Sequence, residues 1–202
     1  MYDIHAKNIQ EFSKKSAENL ADVILMVVLS IQQDWRSVGK QMQDVKENGD
    51  RSRFLWGNKA KTFKFLAARK NFLYSQFLAA INSKKSDGDK ALSLMKIFLQ
   101  VPGLGLAKAG FVCQLTAGLV GCIDVHNIRM YGINENHLKI SMKVKNKDLV
   151  FKKIEKYIDI CHNIGTENLW NNWCEYLSTK NKFWRDGFHV SEVHQQYVMG
   201  EV

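Results

Sequence analysis

The chain has 202 residues, with four cysteines and 29 lysines and arginines against 20 aspartates and glutamates, a formal charge of +9 at pH 7. That length holds one large domain or two small ones around a core. The longest apolar run, Val23 to Leu29, is far too short to cross a bilayer, and the opening MYDIHAKNIQEF lacks the order of a signal peptide, so a soluble intracellular protein of the cytoplasm and nucleoid, or of the nucleus, is expected.

The positive balance fits a polyanionic partner or solvated basic faces. Helical periodicity begins at once. Ile4 to Leu20 is amphipathic and predicts a surface helix, and Ala21 to Gln33 is mostly apolar and predicts a buried one. Asp34 to Asn58 is polar, with glycines at 39, 49 and 57, and predicts a short helix with loops. Trp35 and Trp56 stand in that stretch, each reading as a cover for the core or as a ring on which a base or sugar stacks. Lys59 to Ile81 spaces Leu66, Leu73, Phe77 and Ile81 as one helical face. The other side carries Lys59, Lys61, Lys64, Arg69 and Lys70, a phosphate-facing stripe or a solvated face. After a loop at residues 83–88, a helix from about Asp89 to Leu99 buries Leu92, Met95 and Phe98 or Leu99.

Val101-Pro102-Gly103-Leu104-Gly105 holds the only proline of the chain. Pro102 cannot continue the helix before it, and the two glycines allow torsions and close approaches that a Cβ forbids. The expectation is a tight hairpin between helices, with the second helix starting near Leu106. Its first N–H groups have no intrahelical partner, so hairpin and helix start together suit a phosphate. Further on, Ile123-Asp124-Val125-His126 sets a carboxylate where the next helix begins, a position for a cap.

Residues 137–144, HLKISMKV, alternate only briefly and read as an irregular connection. Asp148 to Cys161 predicts an amphipathic helix with Val150, Ile154, Tyr157, Ile158 and Cys161 on its inner face. A helix from Glu167 to Leu177 follows, rich in aromatic residues. The cysteines at 113, 122, 161 and 174 form no close pair and read as buried reduced thiols. His189, Glu192 and His194 do not have the i, i+4 spacing of a zinc site, so no metal is expected.

V-P-G-L-G-L-A-K-A, a helix, then I-D-V-H-N-I-R resembles the pattern L-P-G-V-G-x-K-x-A, helix, V-D-x-H-x-x-R of the helix-hairpin-helix Gly/Pro-Asp superfamily of DNA glycosylases, which includes endonuclease III and the adenine and 8-oxoguanine glycosylases. The resemblance implies an all-α protein with two helical subdomains flanking a DNA-binding cleft. One is a central subdomain of about residues 20–123 with the hairpin at 99–109, the other 1–19 together with 124–202, the whole forming one unit. The implied activity is base-excision repair by a monomer on double-stranded DNA. A damaged or mismatched base is flipped out, and its N-glycosidic bond is cleaved while Asp124 stabilises the sugar cation.

The resemblance also implies roles residue by residue. Gly103, Leu104, Gly105 and Ala107 of the hairpin contact DNA. Leu29-Ser30-Ile31-Gln32 is similar to the L-S-x-Q element of endonuclease III-like members, making Gln32 either the wedge that fills the vacated space or an exposed helix end. His126 supports the fold or a phosphate contact, and Arg129 pairs within the protein. Members that also cut the backbone carry a nucleophilic lysine where Ala107 stands here, with Lys108 one residue later, about 100° further round a helix. The separation from hairpin to Asp124 is slightly shorter than in endonuclease III-like members, so a slipped alignment makes Lys108 the nucleophile of an AP lyase step; otherwise it is a phosphate contact or a solvated lysine. Some relatives hold an iron-sulfur cluster on four closely spaced C-terminal cysteines. Only Cys161 and Cys174 lie in that region, so no cluster or other cofactor is expected. I-D-V-H is similar to the V-D-V-H of the 8-oxoguanine enzyme, which ranks an oxidised base first. Two other classes remain open: a DNA base-modifying enzyme on the same scaffold, and a noncatalytic helix-hairpin-helix DNA-binding protein in which Asp124 is only a cap.

Overall fold

A computed structural model describes residues 4–33, 35–138 and 147–180. The described residues are helical, with no strand among them: α1 Ile4–Lys15, α2 Ala17–Leu29, α3 Trp35–Asn48, α4 Gly57–Ile81, α5 Asp87–Phe98, α6 Leu106–Thr116, α7 Val125–Tyr131, α8 Lys147–Ile164 and α9 Thr166–Lys180. Short 3-10 turns occupy Gly49–Arg51 and Glu135–His137. The all-α class follows from the sequence as expected. No helix among these residues is long and apolar enough to cross a membrane. Of the expectations above, most of the 137–144 connection, the Trp35 side chain and the histidines of residues 182–202 lie outside the described residues.

α2 forms the centre. Leu20 and every residue from Val23 to Leu29 are buried, because an element surrounded by others has no face left for water. α1, α3, α4 and α6 pack around it, α5 lies between α4 and α6, and α8 joins α5. α7 and α8 both pack on α9. One apolar core runs continuously from Ala6 on α1 to Cys174 on α9.

Several boundaries shift from the sequence expectation, and two of the differences have a clear cause. The first helix does not run to Leu20, because Ser16 adopts an extended conformation and its hydroxyl accepts from the Asn19 N–H at 3.1 Å. A cap of that kind satisfies one of the orphan N–H groups at the start of α2 and stops α1. α3 has 14 residues where a short helix with loops is expected, and Val38, Met42 and Val45 recur along it as its buried face.

Lys59 also departs from expectation. It is buried rather than part of an exposed stripe, and its Nζ donates to the Leu29 carbonyl at 2.9 Å, at the C-terminal end of α2. A cation there meets unpaired carbonyls and the negative end of the helix dipole. Burial lowers the Lys59 pKa.

Candidate functional site

Between α6 and α7 the chain runs from Ala117 to Asp124 without regular structure, so its backbone polar groups need partners from elsewhere. Side chains of α6, α7, α8 and α9 supply them. Thr166 donates to the Gly118 carbonyl at 3.1 Å, and His162 Nε2 lies 3.1 Å from the Leu119 carbonyl. The fully buried Tyr157 hydroxyl donates to the Gly121 carbonyl and accepts from the Ile123 N–H, both at 2.9 Å. The buried Gln114 accepts from the Cys122 N–H at 3.1 Å and donates to the Thr166 carbonyl at 3.1 Å. Asn127 donates to the Cys122 carbonyl at 2.8 Å.

Gly110 makes this contact close. A Cβ on it would sit 2.5 Å from the Tyr157 hydroxyl and 2.6 Å from the Gly121 carbonyl oxygen. The segment therefore lies against α6, and it delivers Asp124 to the start of α7 as the sequence anticipates. Asp124 Oδ1 accepts from the His126 and Asn127 N–H groups at 2.9 and 3.0 Å. The half-buried carboxylate keeps Oδ2 outside these capping bonds.

Lys108, in the first turn of α6, is brought to the same neighbourhood. Burial pushes the Cys122 thiol up to about 12; the Lys108 charge acts on it in the opposite sense and the Asp124 charge in the same sense. Both charges therefore act on one buried thiol. Lys108 makes no ion pair among the described residues; its Nζ lies 5.5 Å from the centroid of the Phe111 ring. The His126 ring stacks on Tyr176 of α9, centroids 3.8 Å apart. Arg129 is exposed on α7, with no carboxylate within 4 Å among the described residues.

The turn from Leu99 to Gly105 joins α5 to α6. Gly103 has φ +88°, a torsion that favours glycine, and a Cβ there would be 3.2 Å from Asn58 Cβ. The Thr62 hydroxyl of α4 donates to the Pro102 carbonyl. The Leu104 side chain is buried and anchors the turn, while Gly103 and Gly105 are exposed. The first i to i−4 bond of α6 is Ala109 N–H to the Gly105 carbonyl at 2.8 Å, and no side chain caps the helix. The N–H groups of Leu106, Ala107 and Lys108 are left without an intrahelical partner.

Beside the turn is a cavity of about 260 Å³, lined by Ile31, Gln32, Trp56, Asn58, Lys59 and Gly103. Gln32 is the one described non-glycine residue with positive φ, at +56°. It is exposed where the chain leaves α2. Trp56 is 57% exposed, the largest apolar surface on this side, with the Lys59 ammonium 5.4 Å from its ring centroid.

The turn, Gln32 and Trp56 therefore border one cavity, and the charges of Asp124 and Lys108 act on one thiol. The missed residues are those that hold the segment leading to Asp124: Gln114, Asn127, Tyr157, Cys161, His162 and Thr166. Their only signal in the sequence is polarity or a hydroxyl on an otherwise apolar helix face. The four cysteines are buried thiols outside any disulfide, and no group of three or more His, Cys, Asp or Glu among the described residues is arranged to hold a metal ion. Compared with known proteins, the chain matches no family model, no curated protein and no solved structure.

Proposed function

We propose that this chain is a DNA glycosylase of helix-hairpin-helix type, which binds duplex DNA through the Leu99–Gly105 turn, takes a damaged or mismatched base out of the stack and breaks its N-glycosidic bond at Asp124. The observation that carries the reading is the Asp124 carboxylate capping two backbone N–H groups at the end of a segment that buried side chains hold against the helix that starts at the turn. Rupture of the bond sends its electron pair out with the base and leaves positive charge on the sugar. A preorganised carboxylate stabilises that charge without having to reorient. Water then adds to the sugar carbon and loses a proton, leaving an abasic site. If the Lys108 amine attacks instead, the product is a Schiff base, and the strand can be cut afterwards.

Support for duplex binding comes from the turn itself. Three unpartnered N–H groups at a helix start, with exposed glycines ahead of them, bind phosphate without reading sequence. Gln32 and Trp56 flank the adjoining cavity as the groups that fill the gap and stack on bared bases. Oxidised bases rank first as substrates, and the unit works as a monomer.

The test is a panel of duplexes, each with one labelled lesion, incubated with the wild type and Asp124→Asn and read with and without alkali. Breaks that need alkali and vanish in Asp124→Asn are the expected result. Breaks without alkali, together with borohydride trapping abolished in Lys108→Gln, assign the lyase step to Lys108. No release from any duplex overturns the glycosylase reading. The noncatalytic DNA-binding reading draws on one observation, that Asp124 Oδ1 is engaged as a helix cap; it predicts unchanged duplex affinity and no turnover in either protein.

A further inference from the structure

Residues 51–86 hold nine of the 29 lysines and arginines and none of the 20 acids. The rest of the chain is therefore balanced, and the whole formal excess of +9 sits in this stretch. Two of the nine are used inside the fold: Lys59 donates to the end of α2, and Lys70 pairs with Glu18. The other seven are exposed, with no carboxylate within 4 Å among the described residues. Five of these, Arg51, Arg53, Lys61, Lys64 and Arg69, lie just ahead of α4 or on its first half.

Their place relative to the turn matters. The first two turns of α4 wall the cavity through Asn58 and touch the Pro102–Gly103 peptide through Thr62. Lys61 and Lys64 are neighbours on the solvent side of that helix. From Gly57 to Arg69 the helix covers about 18 Å, a length over which one DNA strand presents about five phosphates. The opposite face of α4, through Leu66, Leu73 and Phe77, is fixed in the core, so the cations are held on a rigid rod. Like charges gathered this way repel one another unless an anion lies across them.

We propose that the exposed face of α4, with Arg51 and Arg53 ahead of it, is a second phosphate-binding track, on which the duplex extending from the Leu99–Gly105 turn lies. This rests on the duplex-DNA reading above. The track recognises backbone charge alone and adds affinity to any sequence. Lys59 and Lys70 take no part in it, because their ammonium groups are committed elsewhere.

The experiment compares Lys61→Gln/Lys64→Gln with a charge-matched control on α8, Lys152→Gln/Lys156→Gln, both exposed pairs. Binding of the full chain to a labelled duplex is titrated by fluorescence anisotropy over a fourfold range of salt. Two lost phosphate contacts lower the slope of log affinity against log salt by about 1.8. The wild type then loses about tenfold more affinity over that range than the α4 variant, while the control follows the wild type. Equal slopes in the α4 variant and the wild type, or equal shifts in variant and control, overturn the track and leave the DNA reading standing. No salt-dependent binding by the wild type overturns both.

Discussion

At its start α6 offers three backbone N–H groups with no intrahelical partner, beside an open cavity and a glutamine in the left-handed region. Past its end, the stretch from Gly118 to Ile123 is held by side chains from Gln114, Asn127, Tyr157, Cys161, His162 and Thr166. The same helix therefore carries an unsatisfied end and an over-determined one. Unsatisfied groups at a surface are available to a ligand, whereas groups satisfied from several elements fix the backbone that leads into the next residue, here Asp124. Binding and positioning are separated along about 16 Å of one helix.

Substitutions break the two ends differently. The largest loss is expected at the positioning end from Gly110→Ala, whose Cβ meets the Gly121 carbonyl oxygen at 2.6 Å, backbone that has no free rotation to yield. A loss of about 3 kcal/mol in the free energy of urea unfolding is expected. Tyr157→Phe keeps the ring and removes the hydroxyl, leaving the buried Ile123 N–H without its acceptor. That costs about 2 kcal/mol by the same measurement, and turnover falls while duplex affinity is kept.

At the binding end the order reverses. Gly103→Ala forces φ +88° on a side chain and crowds Asn58, at about 1–2 kcal/mol, and weakens duplex binding in a gel-shift titration more than it lowers turnover by bound enzyme. Between these sits a pH effect of the positioning end. The folded state keeps the Cys122 proton up to about 12, whereas the unfolded thiol titrates near 9.0, so stability is lost as pH rises above 9. At pH 10 this amounts to about 1 kcal/mol, and the urea midpoint of Cys122→Ala falls less between pH 8 and 10 than that of the wild type. The smallest change is a gain: Gln32→Gly relieves φ +56° and stabilises by about 0.5 kcal/mol, with duplex affinity reduced by loss of the side chain.

The helices were legible because their signals are local. Leu66, Leu73 and Phe77 repeat at helical spacing whatever they pack on, and Asp124 stands directly ahead of the residues it caps. Ser16 was missed because Ala17-Glu18-Asn19 continues the amphipathic pattern across the break, and only the hydroxyl's bond to Asn19 N–H reveals the cap. Lys59 was misread since its charge suggests solvent; its partner, the Leu29 carbonyl, lies 30 residues back in the chain. The clamp on Asp124 was illegible for the same reason, as Tyr157 is 34 residues from Ile123 and Thr166 is 52 from Gln114.

Those separations bear on the order in which the chain is completed. During synthesis the N-terminal helices emerge first, and α2, α4, α5 and α6 already have most of one another's apolar surface to bury. Asp124 leaves the ribosome well before Tyr157, His162 and Thr166, so a nascent chain has its scaffold early and its anchored carboxylate late. A chain stopped after residue 150 is expected to be helical and compact around α2, yet unable to hold Asp124 still. Under the proposed function, turnover would then begin only once α8 has docked.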